Sequence, residues 1–146
     1  MMWRIVPMTA SHIPAIAAIE QACFADPWTE AGLMEELVNP CARFLVAESE
    51  DGVLGYLGCH HIAGEGFIAN VAVAPAHRRQ GVARSLLKEA IGQGASLSRL
   101  TLEVRLSNTA AIALYTSLGF VKDGVRPRFY SHPAEDAGIY SYYPKK

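Results

Sequence analysis

The segment that most constrains the fold is an apolar run followed by a basic, glycine-containing loop and a helical pattern. The run covers residues 67–74 and stops at Pro75. Beyond the loop, apolar residues recur at helical spacing over residues 82–91. A loop between a strand and a helix N-terminus directs unpaired backbone N–H groups at one point, where the helix dipole adds positive potential. Residues 77–84 therefore predict a phosphate or pyrophosphate site.

The loop does not match the common nucleotide-binding fingerprints. It lacks the Lys-Ser/Thr pair of a Walker A loop and the three glycines of G-x-G-x-x-G. It does fit Arg/Gln-x-x-Gly-x-Gly/Ala, as Arg78-x-x-Gly81-x-Ala83. That pattern resembles the acyl-CoA pyrophosphate loop of the GCN5-related N-acetyltransferase (GNAT) family. A basic surface turn capping a helix would contain the same residues, so the loop by itself leaves both interpretations open.

Composition narrows the class of protein. A chain of 146 residues, 51% hydrophobic and 18% charged, predicts a single globular domain over residues 1–146. The net charge of −1 makes nucleic acid and membrane surfaces poor candidate partners. No apolar segment reaches the roughly 20 residues of a membrane span, and the N-terminus lacks a signal-peptide layout. An odd number of widely spaced cysteines favours free thiols, so we expect a cytoplasmic protein.

Hydrophobic periodicity predicts the order β-α-α-β-β-β-α-β-α-β-β. Strands are expected at residues 3–6, 43–48, 53–62, 67–73, 100–105, 120–121 and 139–143, and helices at 11–23, 28–38, 81–93 and 108–118. Ser11 is expected to cap the first helix. In the second, Leu33, Met34, Leu37 and Val38 form the expected apolar side. The polar segment 126–136 is expected to connect the last two strands.

This order matches the fold of the acetyltransferase family. The predicted class is α/β (α+β), with a mixed, mostly antiparallel seven-stranded sheet, helices on both faces and a central β-α-β unit. Three stretches resemble the ribosomal-protein alanine N-acetyltransferase (RimI-like) subfamily: "IANVAVAPAHRRQGVARSLL", "TLEVRLSNTAAIALYTSLGF" and "VRPRFYSHPAEDA". The resemblance implies acetyl-CoA as co-substrate and a peptide N-terminal α-amine as acceptor. The inferred native target is the N-terminal alanine of a small-subunit ribosomal protein.

The resemblance also implies which residues bind the cofactor. The pantetheine arm of CoA is expected alongside the fourth strand, and a main-chain N–H near Val71 is expected to stabilise the oxyanion. Asn108 matches the family asparagine that bonds the cofactor, and it also suits a helix N-cap. The expected cofactor-binding residues are Val71, Val73, Arg78, Arg79, Gln80, Gly81, Val82, Ala83, Arg84 and Asn108.

Two residues carry the expected acid–base chemistry. Glu103 lies in a strand whose Leu102 and Val104 point the opposite way, and the matching family glutamate is the general base. A solvated carboxylate, or a pair between Glu103 and Arg105, remains an alternative. Tyr115 lies on the apolar face of the last helix, where the matching tyrosine protonates the departing CoA sulfur. A core tyrosine with a satisfied hydroxyl is the alternative.

The acceptor site is expected around Trp28 and Tyr130, although Trp28 also suits a hydrophobic anchor. The residues after Tyr130 depart from the subfamily, so a lysine side chain or a small amine stays open as the acceptor. A non-catalytic acetyl-CoA-binding module is a further alternative, which the presence of both Glu103 and Tyr115 disfavours. Nucleotide binding by the basic loop is another, which the missing fingerprints disfavour. His60 and His61 are adjacent on a strand and face opposite ways, so no metal-ligand set is expected.

Overall fold

Seven strands and four α-helices make up the computed structural model, which describes residues 2–144. The strands are β1 (Arg4–Pro7), β2 (Leu45–Ser49), β3 (Gly52–Ile62), β4 (Glu65–Val73), β5 (Arg99–Arg105), β6 (Val121–Ser131) and β7 (Ala134–Tyr142). The helices are α1 (Ile13–Cys23), α2 (Glu30–Glu36), α3 (Val82–Gln93) and α4 (Thr109–Ser117). None of these helices is long and apolar enough to cross a membrane.

The strands form one mixed sheet in the order β1-β2-β3-β4-β5-β7-β6. Strand β4 lies at its centre, as its two apolar faces predict. It pairs in parallel with β5, while every other neighbouring pair is antiparallel. Helix α3 connects β4 to β5, which completes the predicted β-α-β unit. The sequence prediction of a mixed, mostly antiparallel seven-stranded sheet is confirmed.

Helices cover both faces of the sheet. On one face, Leu86 and Leu87 of α3 pack into a core with β3 and β5, and α4 packs against its margin. On the other face, Ile13 and Ile16 of α1 and Leu33 of α2 pack against β2 and β3. The central strands of the sheet are therefore packed between two helical layers.

The strand and helix that bear the candidate catalytic residues match the sequence pattern closely. Along β5, buried Leu102 and Val104 alternate with partly exposed Glu103. Helix α4 begins after Asn108, whose side-chain oxygen accepts the Ala111 N–H at 3.2 Å. It ends before Gly119, which takes a left-handed φ of +104°. The predicted N-cap of α4 at Asn108 is confirmed.

The predicted cap of α1 is wrong. A 3-10 turn (Ala10–His12) precedes the helix, which begins at Ile13 rather than after Ser11. His12 occupies the N-cap position of α1, but its side chain caps no backbone N–H of the helix. Its Nδ1 instead accepts the Thr9 N–H at 2.9 Å, across the 3-10 turn. The turn therefore satisfies its own polar groups before the α-helix starts.

The apolar side expected for α2 is largely exposed. Thr29 caps the helix by accepting the Gly32 N–H, and Leu33 is fully buried. In contrast, Met34 and Leu37 are exposed, and Val38 is 84% exposed. The helix is only seven residues long, and Leu33 is its one buried residue. Of the four residues that the sequence pattern assigns to the apolar side, the short helix therefore buries one.

The segment expected to connect the last two strands is itself a hairpin. Residues 121–131 and 134–142 pair antiparallel, with register shifts after Lys122 and after Arg126. The sequence prediction of short strands at 120–121 and 139–143 is wrong in extent. Polar residues dominate β6 because it is the exposed outermost strand, so its composition resembles that of a loop.

Candidate active site

The basic loop has the backbone needed for an anion site. After a 3-10 turn (Pro75–His77), Arg79 and Gly81 adopt left-handed φ values of +65° and +93°, and α3 starts at Val82. A Cβ at Gly81 would meet no atom within 4 Å, so the loop faces open space. The first amide groups of α3 are therefore accessible to a ligand from this side.

A cleft of about 570 Å³ lies between this loop, the end of β4 and α4. Nine of the ten expected cofactor residues line it: Val71, Val73, Arg78, Arg79, Gly81, Val82, Ala83, Arg84 and Asn108. The exception is Gln80, which is exposed and lies outside the lining. Three arginines and no carboxylate line the described cleft. This charge suits a pyrophosphate, so the site fits an acyl-CoA.

Two of the lining arginines are already held in place. Arg78 donates through Nε to the Val73 carbonyl at 3.2 Å and through Nη2 to Cys23 Sγ at 3.1 Å. Arg84 donates to Ser117 Oγ at 3.0 Å, which connects α3 to α4. These contacts position positive charge along the cleft wall. The sequence reasoning did not identify Cys23, because a single cysteine in a helical pattern carries no distinctive signal.

Strands β4 and β5 separate at the inner end of this cleft. Their ladder runs from the pair Glu65–Arg99 to the pair Ile68–Leu102, although both strands continue beyond it. A register shift in the β3–β4 ladder leaves Ala69 as an extra residue, and such a bulge bends the strand. Strand β4 therefore leaves β5 from Ala69 onward and opens a gap in the middle of the sheet.

A second cleft of about 440 Å³ lies on the other side of this gap. Its lining includes Glu103, Trp28 and Tyr130, the residues expected to bind or deprotonate the acceptor. Val71 and Tyr115 line both clefts. The structure therefore brings the expected cofactor, catalytic and acceptor residues to one continuous site.

Glu103 contacts an arginine that the sequence did not suggest. Arg126 of β6 places its Nε 2.7 Å from Glu103 Oε2, and the two side chains are 56% and 28% exposed. The alternative pairing of Glu103 with Arg105 is wrong, because Arg105 contacts Glu135 at 3.2 Å and donates to the His132 and Pro133 carbonyls. The other oxygen of Glu103 makes no hydrogen bond or ion pair within residues 2–144.

Tyr115 sits at the junction of the clefts. Its ring packs on Phe120 with a centroid separation of 5.9 Å. Burial raises the pKa of Tyr115 to about 12, and the neighbouring Tyr130 adds to the shift. The hydroxyl is therefore protonated throughout the neutral range and can act as a donor.

Tyr130 and Trp28 both line the second cleft. The guanidinium carbon of Arg105 lies 4.3 Å from the Tyr130 ring centroid, a cation–π contact that fixes the ring. Burial raises the pKa of Tyr130, and the negative charge of Glu103 raises it further. The Trp28 ring is half-buried against Phe44, so Trp28 anchors its loop as well as lining the cleft.

Sequence reasoning missed a buried carboxylate beneath this cleft. Glu20 of α1 is 0% exposed and accepts hydrogen bonds from Tyr56, Asn70 and the Trp28 N–H. Asn70 itself lines the second cleft. The sequence signal that could have identified Glu20 is its charge on the apolar face of α1, one turn after Ile16.

The histidines are part of ordinary side-chain contacts. His60 Nε2 lies 2.8 Å from Glu36 Oε1, and burial lowers the pKa of His61. Within residues 2–144, no group of three or more His, Cys, Asp or Glu side chains is placed to hold a metal ion.

Comparison with known proteins identifies this architecture. Residues 13–120 match the acetyltransferase (GNAT) family model. The ribosomal protein bS18-alanine N-acetyltransferase of Escherichia coli is 35% identical over 130 residues, 86% of each chain. The N-alpha-acetyltransferase RimI of Mycobacterium tuberculosis is 33% identical over 136 residues, 89% of this chain and 85% of its own. The crystal structure of the E. coli ribosomal-protein-S18-alanine N-acetyltransferase superposes with a TM-score of 0.90, at 31% identity, covering 99% and 96% of the two chains.

Proposed function

Because the chain belongs to the GNAT acetyltransferase family and is an N-acetyltransferase, we propose that it transfers acetyl from acetyl-CoA directly to a peptide N-terminal α-amine. The proposed native acceptor is the N-terminal alanine of a small-subunit ribosomal protein, which would place the reaction in the cytoplasm. We further propose that residues 1–146 act as one N-acetyltransferase domain. The observation that carries the proposal is the meeting of the arginine-lined cleft and the Glu103 cleft at Val71 and Tyr115.

The first cleft is assigned to acetyl-CoA. The loop amides of residues 80–84, with Arg78, Arg79 and Arg84, would hold the pyrophosphate. The separated part of β4 offers main-chain groups of Val71 and Val73 to the pantetheine arm. The Val73 carbonyl already accepts from Arg78 at 3.2 Å and from the Cys23 thiol at 3.7 Å, so its pairing with the arm requires a shift of one of these side chains. Asn108 would contact the cofactor from the other wall, in addition to capping α4.

Glu103 is assigned as the general base. It lines the second cleft, and one of its oxygens is free of protein partners among the described residues. An α-amino group has a pKa of about 7.7–8.0, against about 10.4 for a lysine side chain. The difference of roughly 2.5 units makes deprotonation of the α-amine easier by about 3.4 kcal/mol. A carboxylate base, acting directly or through water, therefore suits an N-terminal acceptor.

Tyr115 is assigned as the general acid. With its pKa at about 12, complete transfer to a thiolate resembling cysteine, pKa about 8.5, is uphill by about 5 kcal/mol. A hydrogen bond donated to the sulfur as negative charge develops is the role that this pKa supports. A backbone N–H near Val71, on the part of β4 that has left the β5 ladder, would stabilise the oxyanion.

The proposal is tested with acetyl-CoA and two synthetic peptides, using mass spectrometry to place the acetyl group. One peptide has a free N-terminal alanine and no lysine, and the other has a blocked N-terminus and one lysine. We expect acetylation of the first alone. Acetylation of the second alone would assign the enzyme to lysine acceptors. Acetyl-CoA binding without either product would favour a small amine or a non-catalytic binding module.

A further inference from the structure

We propose that Glu20, buried in α1, is a positioning residue that holds the acceptor-binding loop (residues 24–29) against strand β4. The inference rests on the proposed function, because it concerns how the acceptor cleft is kept in shape. Glu20 lines neither cleft. It acts on the reaction only through the residues to which it is bonded.

The environment of Glu20 is unusual for a carboxylate. Its exposure is 0%, and no Lys, Arg or His of residues 2–144 lies within ion-pair distance of it. Removing a carboxylate from water costs several kcal/mol, and a well-packed apolar side chain of similar volume is often more stable. Packing within α1 alone therefore does not account for a glutamate at this position.

Three hydrogen bonds satisfy the carboxylate, and each donor belongs to a different part of the fold. The Tyr56 hydroxyl of β3 donates to Oε2 at 2.5 Å, and Asn70 Nδ2 of β4 donates to the same oxygen at 2.8 Å. The backbone N–H of Trp28 donates to Oε1 at 3.0 Å. One carboxylate thus joins the sheet core, the central strand and the loop after α1.

Two of these donors belong to the walls of the acceptor cleft. Asn70 and Trp28 both line it, and Asn70 lies between the bulge at Ala69 and Val71, which lines both clefts. The two oxygens of Glu20 divide between these walls, Oε1 to the loop and Oε2 to the strand. Glu20 therefore sets the spacing between the acceptor loop and the strand that carries the proposed oxyanion donor. Reaction rates are sensitive to displacements of about 1 Å in such a geometry.

The test compares Glu20→Gln with the matched control Tyr56→Phe. A glutamine keeps the length of the side chain but has one acceptor oxygen, so it cannot accept on both sides at once. The control removes the Tyr56 hydroxyl, and with it one donor to Glu20 and the weaker 3.4 Å contact from Asn70 Nδ2. It leaves the bonds from Asn70 and Trp28 to Glu20 in place. For Glu20→Gln we expect kcat/KM for the alanine peptide to fall about 10- to 100-fold, with the Kd of acetyl-CoA unchanged. For Tyr56→Phe we expect a lower Tm but kcat/KM within about threefold of wild type.

A second measurement does not depend on the proposed function. Hydrogen–deuterium exchange should show the Trp28 amide protected in the wild-type protein and in Tyr56→Phe, but exposed in Glu20→Leu, which has a similar volume and no acceptor for that amide. Rapid exchange of that amide in the wild type would overturn the inference even if the variant failed to fold. So would equal losses of kcat/KM in Glu20→Gln and Tyr56→Phe. If wild-type enzyme left the peptide unmodified while the exchange pattern held, the proposed function would fail and the positioning role would stand.

Discussion

At the scale of single residues, the contact between Glu103 and Arg126 is the feature with most consequence for the proposed chemistry. Arg126 reaches one oxygen of the carboxylate from β6, across the intervening strand β7. It does not line the acceptor cleft. The arginine therefore orients the proposed base from outside the cleft and leaves the second oxygen for the acceptor.

Arg126→Gln is expected to act only through Glu103. Glu103→Gln should lower kcat about 100-fold or more, because a general base contributes that much. Arg126→Gln should lower kcat about fivefold, the equivalent of an exposed ion pair of about 1 kcal/mol. In the Glu103→Gln background the second change should have no further effect. Steady-state kinetics of the wild type, the two single variants and the double variant complete a double-mutant cycle. Arg128→Gln, on the same strand as Arg126, is the control. Additive losses would show that Arg126 acts independently of Glu103.

Tyr115 allows a prediction on pH dependence. Since its pKa is raised to about 12, the hydroxyl stays protonated below pH 10 and its loss should cost the same at every pH in that range. Tyr115→Phe should lower kcat about 10- to 100-fold with little change in peptide KM. The ratio of wild-type to variant kcat, measured from pH 7 to pH 10, should be constant. A ratio that falls steadily with rising pH would mean that Tyr115 titrates in this range and that the donor role is wrong.

At the scale of elements, the β4–loop–α3 unit carries the proposed pyrophosphate site. Gly81→Asp places a negative charge at the left-handed position where α3 begins, beside three lining arginines. We expect the Kd of CoA to rise at least about tenfold, because the added carboxylate repels the pyrophosphate. Gly92→Asp, on the exposed far end of the same helix, is the control and should change the Kd less than twofold. Calorimetric titration with CoA measures the Kd of both variants. An equal Kd for Gly81→Asp and the wild type would show that this loop does not bind the pyrophosphate.

At the scale of the whole molecule, buried weak acids make stability depend on alkaline pH. Burial raises the pKa of Cys59 to about 11 and of Tyr115 to about 12, and it also raises the pKa of Tyr56. Above about pH 9 the unfolded chain releases protons that the native protein retains, so the free energy of unfolding falls as pH rises. Below pH 9 these groups are protonated in both states and add no slope.

We therefore expect urea unfolding to give a constant midpoint near neutral pH and a steady decrease from about pH 9 to pH 11. Cys59→Ala, which removes one of the titrating groups, should be less stable at pH 7 but lose less stability over this interval. A midpoint that does not change up to pH 11, or an equal loss in the variant, would contradict the burial of the Cys59 thiol.

The parts of this protein that depend on local pattern can be predicted from its amino-acid sequence. Each of four features is encoded by a short continuous stretch of sequence. They are the apolar run of β4, the glycine-bearing loop, the alternation along β5 and the capped helix α4. Each corresponds to a backbone period or to a steric requirement such as the left-handed conformation at Gly81. The strand order of the sheet therefore follows from local pattern together with the family resemblance. The resemblance also supplied the ten residues expected to bind the cofactor, and nine of them line the first cleft.

Contacts between residues that are distant in the sequence depend on how the strands and helices pack. Arg126 reaches Glu103, and Glu20 joins Trp28 to Asn70, because strand order and helix docking bring together residues that are 8 to 50 positions apart. The exposure of α2 and the pairing of β6 with β7 were likewise decided by what lies beside each element. Periodicity specifies which face of an element is apolar, but whether a partner covers that face depends on packing that no local pattern contains.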